Sequence, residues 1–97
     1  MMRGTTPIHT FTVDIDTSSL AKVRVVYCQG NKRILAKEDC QMAGNTITVK
    51  LTQAETFLFE HNKPVEVQIR ARTKGGEAHN SEIYTEPVER CLDTEVI

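Results

Sequence analysis

From Val65 to Arg72 every second residue is apolar: Val65, Val67, Ile69 and Ala71 interleave with Glu66, Gln68, Arg70 and Arg72. Successive side chains leave a β-strand on opposite faces, so this strict period of two predicts a strand with one face in a core and one in water. Pro64 precedes it and Thr73-Lys74-Gly75-Gly76 follows as turn chemistry. A chain organised around such a strand must supply partners of the same kind. Ala21–Gln29 does so, with Val23, Val25 and Tyr27 on one face, and so does Thr46–Leu51, with Ile47, Val49 and Leu51. Phe11, Val13 and Ile15 alternate in a first strand, with Thr10, Thr12 and Asp14 on its other face.

The connections are short and turn-like. Gln29-Gly30-Asn31-Lys32 suits a tight hairpin, because Gly and Asn accept positive φ. It leads into a third strand, Arg33–Lys37. Glu38–Met42 fits a short edge strand, Ala43-Gly44-Asn45 a turn, and Asn80–Val88 a last strand running through Ile83. Helix is confined to one place. Thr52-Gln53-Ala54-Glu55 matches a capping box, and Ala54, Phe57 and Leu58 at i, i+3 and i+4 predict one apolar-faced turn plugging the end of the fold.

Regularly spaced strands joined by tight turns, with no crossover helices, predict an all-β antiparallel sandwich of about seven strands with one short helical turn. The chain of 97 residues suits a single domain over 1–97, with 1–6 and 91–97 peripheral or flexible. The expected core is Val23, Val25, Tyr27, Ile47, Val49, Leu51, Val65, Val67, Ile69 and Ala71, closed by Phe11, Val13 and Phe57.

Charge narrows the partners. Lys and Arg number 12 against 13 Asp and Glu, a net charge of −1, so no whole-domain field draws in nucleic acid. No apolar run approaches the ~20 residues that span a bilayer, so no membrane partner is expected. Met1–Pro7 lacks the apolar stretch of a signal peptide, which predicts cytoplasmic residence on synthesis.

Chemistry-bearing residues do not form a recognisable set. Cys28, Cys40 and Cys91 are widely spaced, with no close pair to pre-organise a metal, so reduced thiols and no metal or cofactor are expected. No spacing unites a cysteine with His9, His61 or His79 as a nucleophile and base. Asp14 and Asp16 precede Thr17-Ser18, which suits a turn better than a calcium loop. Gly30 and the Gly75-Gly76 pair do not open a helix, so no phosphate cradle is implied. A non-enzymatic chain is the expectation, and its candidate interaction surface has two parts. One is the polar stripe Glu66, Gln68, Arg70 and Arg72, which is either a solvated face or a docking face. The other is the apolar tail Leu92, Val96 and Ile97, which either frays or adds to another subunit's sheet edge or groove.

The run Val65-Glu66-Val67-Gln68-Ile69-Arg70-Ala71-Arg72-Thr73-Lys74-Gly75-Gly76, with Ser81 beyond, resembles the final hairpin of fibronectin type III domains. That resemblance implies an immunoglobulin-like topology. Val65 stands where that family has an aromatic, so the tyrosine-corner bond is absent, and the chain has no tryptophan. Three further segments, Met2-Arg3-Gly4-Thr5-Thr6-Pro7-Ile8-His9-Thr10-Phe11-Thr12, Gly44–Gln53 and Val88-Glu89-Arg90-Cys91-Leu92, resemble small proteins encoded among prophage genes of Gram-positive bacteria. That group is similar in pattern to the N-terminal β-sandwich domain of phage baseplate upper proteins. It implies a structural or binding module of a tail or baseplate that associates with other particle proteins or with itself, located in the virion after assembly. It implies no catalytic or binding residues. Two rival functions stay open: a free-standing immunoglobulin-like domain holding a carbohydrate or protein ligand, and a small enzyme or metal-dependent regulator.

Overall fold

The computed structural model describes residues 1–97. Eight strands form in chain order: β1 (Ile8–Thr12), β2 (Leu20–Gln29), β3 (Lys32–Lys37), β4 (Gln41–Ala43), β5 (Thr46–Lys50), β6 (Val65–Thr73), β7 (Ala78–Asn80) and β8 (Tyr84–Glu86). One antiparallel sheet has the order β1-β5-β4. The other has the order β3-β2-β6, with β7 and β8 both paired to the far side of β6. The connections β1 to β2, β3 to β4 and β5 to β6 each cross from one sheet to the other. This is the immunoglobulin-like arrangement B-E-D against C′-C-F-G, with β7 and β8 together as the final strand. Within these 97 residues no strand lies beside the outer edge of β1. No helix is long and apolar enough to cross a membrane.

The expected core forms. Val23, Val25, Tyr27, Ile47, Val49, Leu51, Val65, Val67 and Ile69 are buried between the sheets, while Ala71, Phe11 and Val13 are half-buried against them. Tyr27, on the strand that takes the C position, is the large buried aromatic, with its ring 5.8 Å from that of Phe59. The hairpin at Gly30-Asn31 has φ of 56° and 66°, the double left-handed turn that glycine and asparagine accommodate.

Three expectations are corrected. The first strand ends at Thr12, and Val13 donates to the Asn45 carbonyl beyond it, so Ile15 lies outside the strand. The helix α1 (Gln53–Thr56) has the expected capping box, but its inward residues are Thr56 and then Phe59; Ala54 and Leu58 are exposed and Phe57 is half-buried. The helix is so short that the chain leaves helical spacing at Phe57, and Phe59 closes the core in its place. The last strand is not continuous from Asn80 to Val88. Ser81 interrupts it: its Oγ accepts from the Ile69 amide at 2.9 Å where a backbone carbonyl would stand, and the pairing register with β6 changes between β7 and β8. Ile83 is consequently exposed, while Tyr84 and Glu86 turn inward.

Candidate functional site

The outer face of the larger sheet carries the polar stripe of β6, and pairing with β2 decides its chemistry. Arg70 lies directly opposite Arg24, and Arg72 directly opposite Lys22. Gln68 faces Val26, and Glu66 faces Cys28, so the carboxylate sits two pairs away from the cations. The stripe expected to be mixed is therefore a basic patch of Lys22, Arg24, Arg70 and Arg72. Like charges directly across a strand pair oppose folding, so this surface carries a conflict that the free domain resolves only in part. Glu38 takes a hydrogen bond from Arg24 Nη2 at 2.8 Å and lies 3.3 Å from Lys22 Nζ. Those bonds, Arg24's first, hold its carboxyl below the usual range. Arg70 donates from Nε to Asn80 Oδ1 at 3.0 Å. Arg72 has no ion pair.

A second constellation lies at the edge where the two sheets part. His9 on β1 accepts or donates through Nδ1 with the Tyr27 hydroxyl at 2.8 Å, and its Nε2 stands 3.4 Å from Glu86 Oε2. Nucleophile, base and orienting carboxylate have this order in hydrolases. Here Tyr27 is fully buried, and its burial, with the Glu86 charge, raises its phenol pKa far above the ordinary value. The Tyr27 hydroxyl is closed off from solvent, and its bond to His9 ties β1 to β2 across the two sheets, while His9 Nε2 is buried beside Glu86 without a hydrogen-bond partner.

That network sets a pH dependence. Burial lowers the His9 pKa from its ordinary 6.5; Glu86 opposes the shift and the N-terminal ammonium adds to it. The folded state therefore favours neutral His9. Its stabilisation is complete above the unfolded-chain value and declines as pH falls through the folded-state value. Urea unfolding at pH 7.5 and 5.5 should show lower stability at 5.5, and His9→Gln should reduce that difference.

The tail residues Leu92, Val96 and Ile97 are exposed, with the Ile97 backbone held by Gln53 at 2.8 and 3.2 Å. They lie apart from the basic patch in sequence and are joined to α1. Cys28, Cys40 and Cys91 are half-buried free thiols; Cys91 Sγ donates to the Asp93 carbonyl at 2.9 Å. His61 and His79 are in no cluster able to hold a metal ion. No protein-family model matches the chain, and no curated protein or solved structure matches it.

Sequence reasoning placed Arg70 and Arg72 on the site and missed Lys22 and Arg24 as their neighbours. The signal was present, since Lys22 and Arg24 occupy the outward positions of their own alternating strand. What was missing was the register that sets the two strands side by side.

Proposed function

We propose that this domain is a non-enzymatic structural or binding module that works by association, docking an acidic protein surface on the outer face of its larger sheet. The observation that carries this reading is the two facing pairs of like charges, Arg24 with Arg70 and Lys22 with Arg72. A solvated face needs charge but gains nothing from placing cations opposite one another, whereas an acidic partner turns that cost into affinity and steering. With a net charge of −1 the chain has no whole-domain field toward nucleic acid, so a protein with an acidic surface is the proposed partner. The resemblance of the opening, central and closing segments to prophage-encoded proteins supports a phage-derived particle, in its tail or baseplate, as the assembly.

Co-expression with the products of the adjacent genes tests the reading. A complex of fixed stoichiometry is expected that weakens with added salt and is lost in the Arg70→Glu/Arg72→Glu double variant. A complex that contains nucleic acid, or one indifferent to salt and to both substitutions, would contradict it. So would the absence of any complex.

A further inference from the structure

The two sheets have four edges, and three are blunted in the ways sheets avoid pairing with other chains. Edge strand β3 carries Lys32, Arg33 and Lys37 and a register shift opposite Tyr27/Cys28. Strand β4 is three residues long, and the turn Thr17–Ser19 packs on it, with the Thr17 amide and hydroxyl both donating to the Gly44 carbonyl at 2.8 Å. Strands β7 and β8 are three residues each and are interrupted by Ser81. Strand β1, Ile8-His9-Thr10-Phe11-Thr12, has five residues with no Lys, Arg, Asp or Glu, no proline and no bulge.

Its backbone polarity follows from the pairing. Leu51 donates to the Pro7 carbonyl and Val13 to the Asn45 carbonyl, which sets Pro7, His9, Phe11 and Val13 as the residues bonded to β5. The N–H and C=O groups of Ile8, Thr10 and Thr12 therefore point away from the sheet and have no protein partner. Ile8 is 62% exposed. Beside this edge the seam between the sheets opens as a shallow groove of about 540 Å³, with Thr10, Phe11, Tyr84 and Thr85 in its lining.

We propose that β1 pairs antiparallel with β1 of a second copy of this chain, about a two-fold axis at Thr10, joining the two small sheets into one. Three features select a second copy as the occupant. The outward residues are odd in number and centred on Thr10, so the two-fold sets Ile8 against Thr12 of the second copy and Thr10 against Thr10, each facing pair exchanging two hydrogen bonds. A strand that pairs with itself brings its own charges together; β1 has none over its five residues, whereas self-pairing of β3 would oppose lysines and arginine, and the other uncharged edge strands, β4 and β7, are only three residues long. The outer-face side chains are then β-branched throughout, Ile8 with Thr12 and Thr10 with Thr10, which suits cross-strand packing. The basic face lies on the other sheet, so this interface stands or fails independently of the function proposed above.

An interface built on so short an edge belongs to the weak, transient class. Sedimentation of the full chain from micromolar to millimolar concentrations should show a monomer–dimer equilibrium. Amide exchange should slow with concentration at Ile8, Thr10 and Thr12, while His9 and Phe11 stay protected throughout. Thr10 is exposed, so Thr10→Lys and Thr10→Glu should each remain folded by circular dichroism and sediment as monomers, and an equimolar mixture of the two should regain the dimer. A wild-type chain that is monomeric at every concentration would overturn the proposal. So would a dimer that survives in both single variants, or protection of the three amides only when a different protein is added.

Discussion

Phe59→Ala is expected to cost about 3–5 kcal/mol, the range for removing a large buried aromatic and leaving its cavity. Phe59 is 1% exposed, it packs on Tyr27, and it is the side chain by which the segment after α1 reaches the core. Domains of this size hold about 5–15 kcal/mol in total, so the variant should be near its unfolding threshold at ambient temperature. Urea unfolding followed by circular dichroism reads the loss directly. Phe57→Ala is the informative companion. Phe57 is only half-buried, with the Arg3 guanidinium 5.6 Å from its ring, and its truncation should cost clearly less. If Phe57→Ala were the more damaging of the two, the assignment of Phe59 as the closing residue would be wrong.

Gln29→Leu should cost about 2–3 kcal/mol through hydrogen bonding alone. The Gln29 amide is buried at the end of β2 and serves three backbone groups of one loop. Its Nε2 donates to the carbonyls of Glu60 and Lys63 at 2.9 and 3.1 Å, and its Oε1 accepts from the Glu60 amide at 2.8 Å. Leucine keeps most of the volume but leaves these groups without their partner, and an unmet buried group costs about 1–3 kcal/mol. The discount for several groups lost together is that the loop is exposed and water can reach part of it. Limited proteolysis should find a new cleavage site around 60–63 in this variant before the rest of the domain opens. Unchanged stability with an unchanged cleavage pattern would show that the loop holds itself.

The residues that could be read from sequence were those whose local pattern and tertiary role agree. Val23 to Tyr27, Ile47 to Leu51 and Val65 to Ile69 alternate because one face of each strand is in the core, and the buried set follows from that alternation. The Gly30-Asn31 hairpin and the Thr52/Glu55 capping box are likewise local chemistry, and both form. Phe59 was not legible because the segment from Phe57 to Pro64 follows no period, so nothing local says which of its apolar residues turns inward. The break in the final strand depends on one hydroxyl, Ser81, substituting for a carbonyl of the ladder, and a serine in a strand has no such signature. The site was half legible for a related reason. Arg70 and Arg72 show as outward residues of one strand, but their meaning comes from Arg24 and Lys22, which only the β2–β6 register brings opposite them. His9, Tyr27 and Glu86 come from three separate strands and share no sequence pattern.

The premise that the basic face is in conflict with itself is open to a direct thermodynamic measurement on the free domain. Arg72 has no ion pair to lose, and Arg72→Glu would set a carboxylate opposite Lys22 in place of a guanidinium. Converting a facing like-charge pair to an opposite one should stabilise the domain by about 0.2–1 kcal/mol. Urea unfolding of wild type and Arg72→Glu at low ionic strength measures the difference, and repeating it at about 1 M salt, where the screening length is ~3 Å, should erase most of it. A variant more stable than wild type at low salt, with the gain lost at high salt, is the predicted result. A variant equally stable or less stable at low salt would contradict the account, because the face would then carry no repulsion for an acidic partner to relieve.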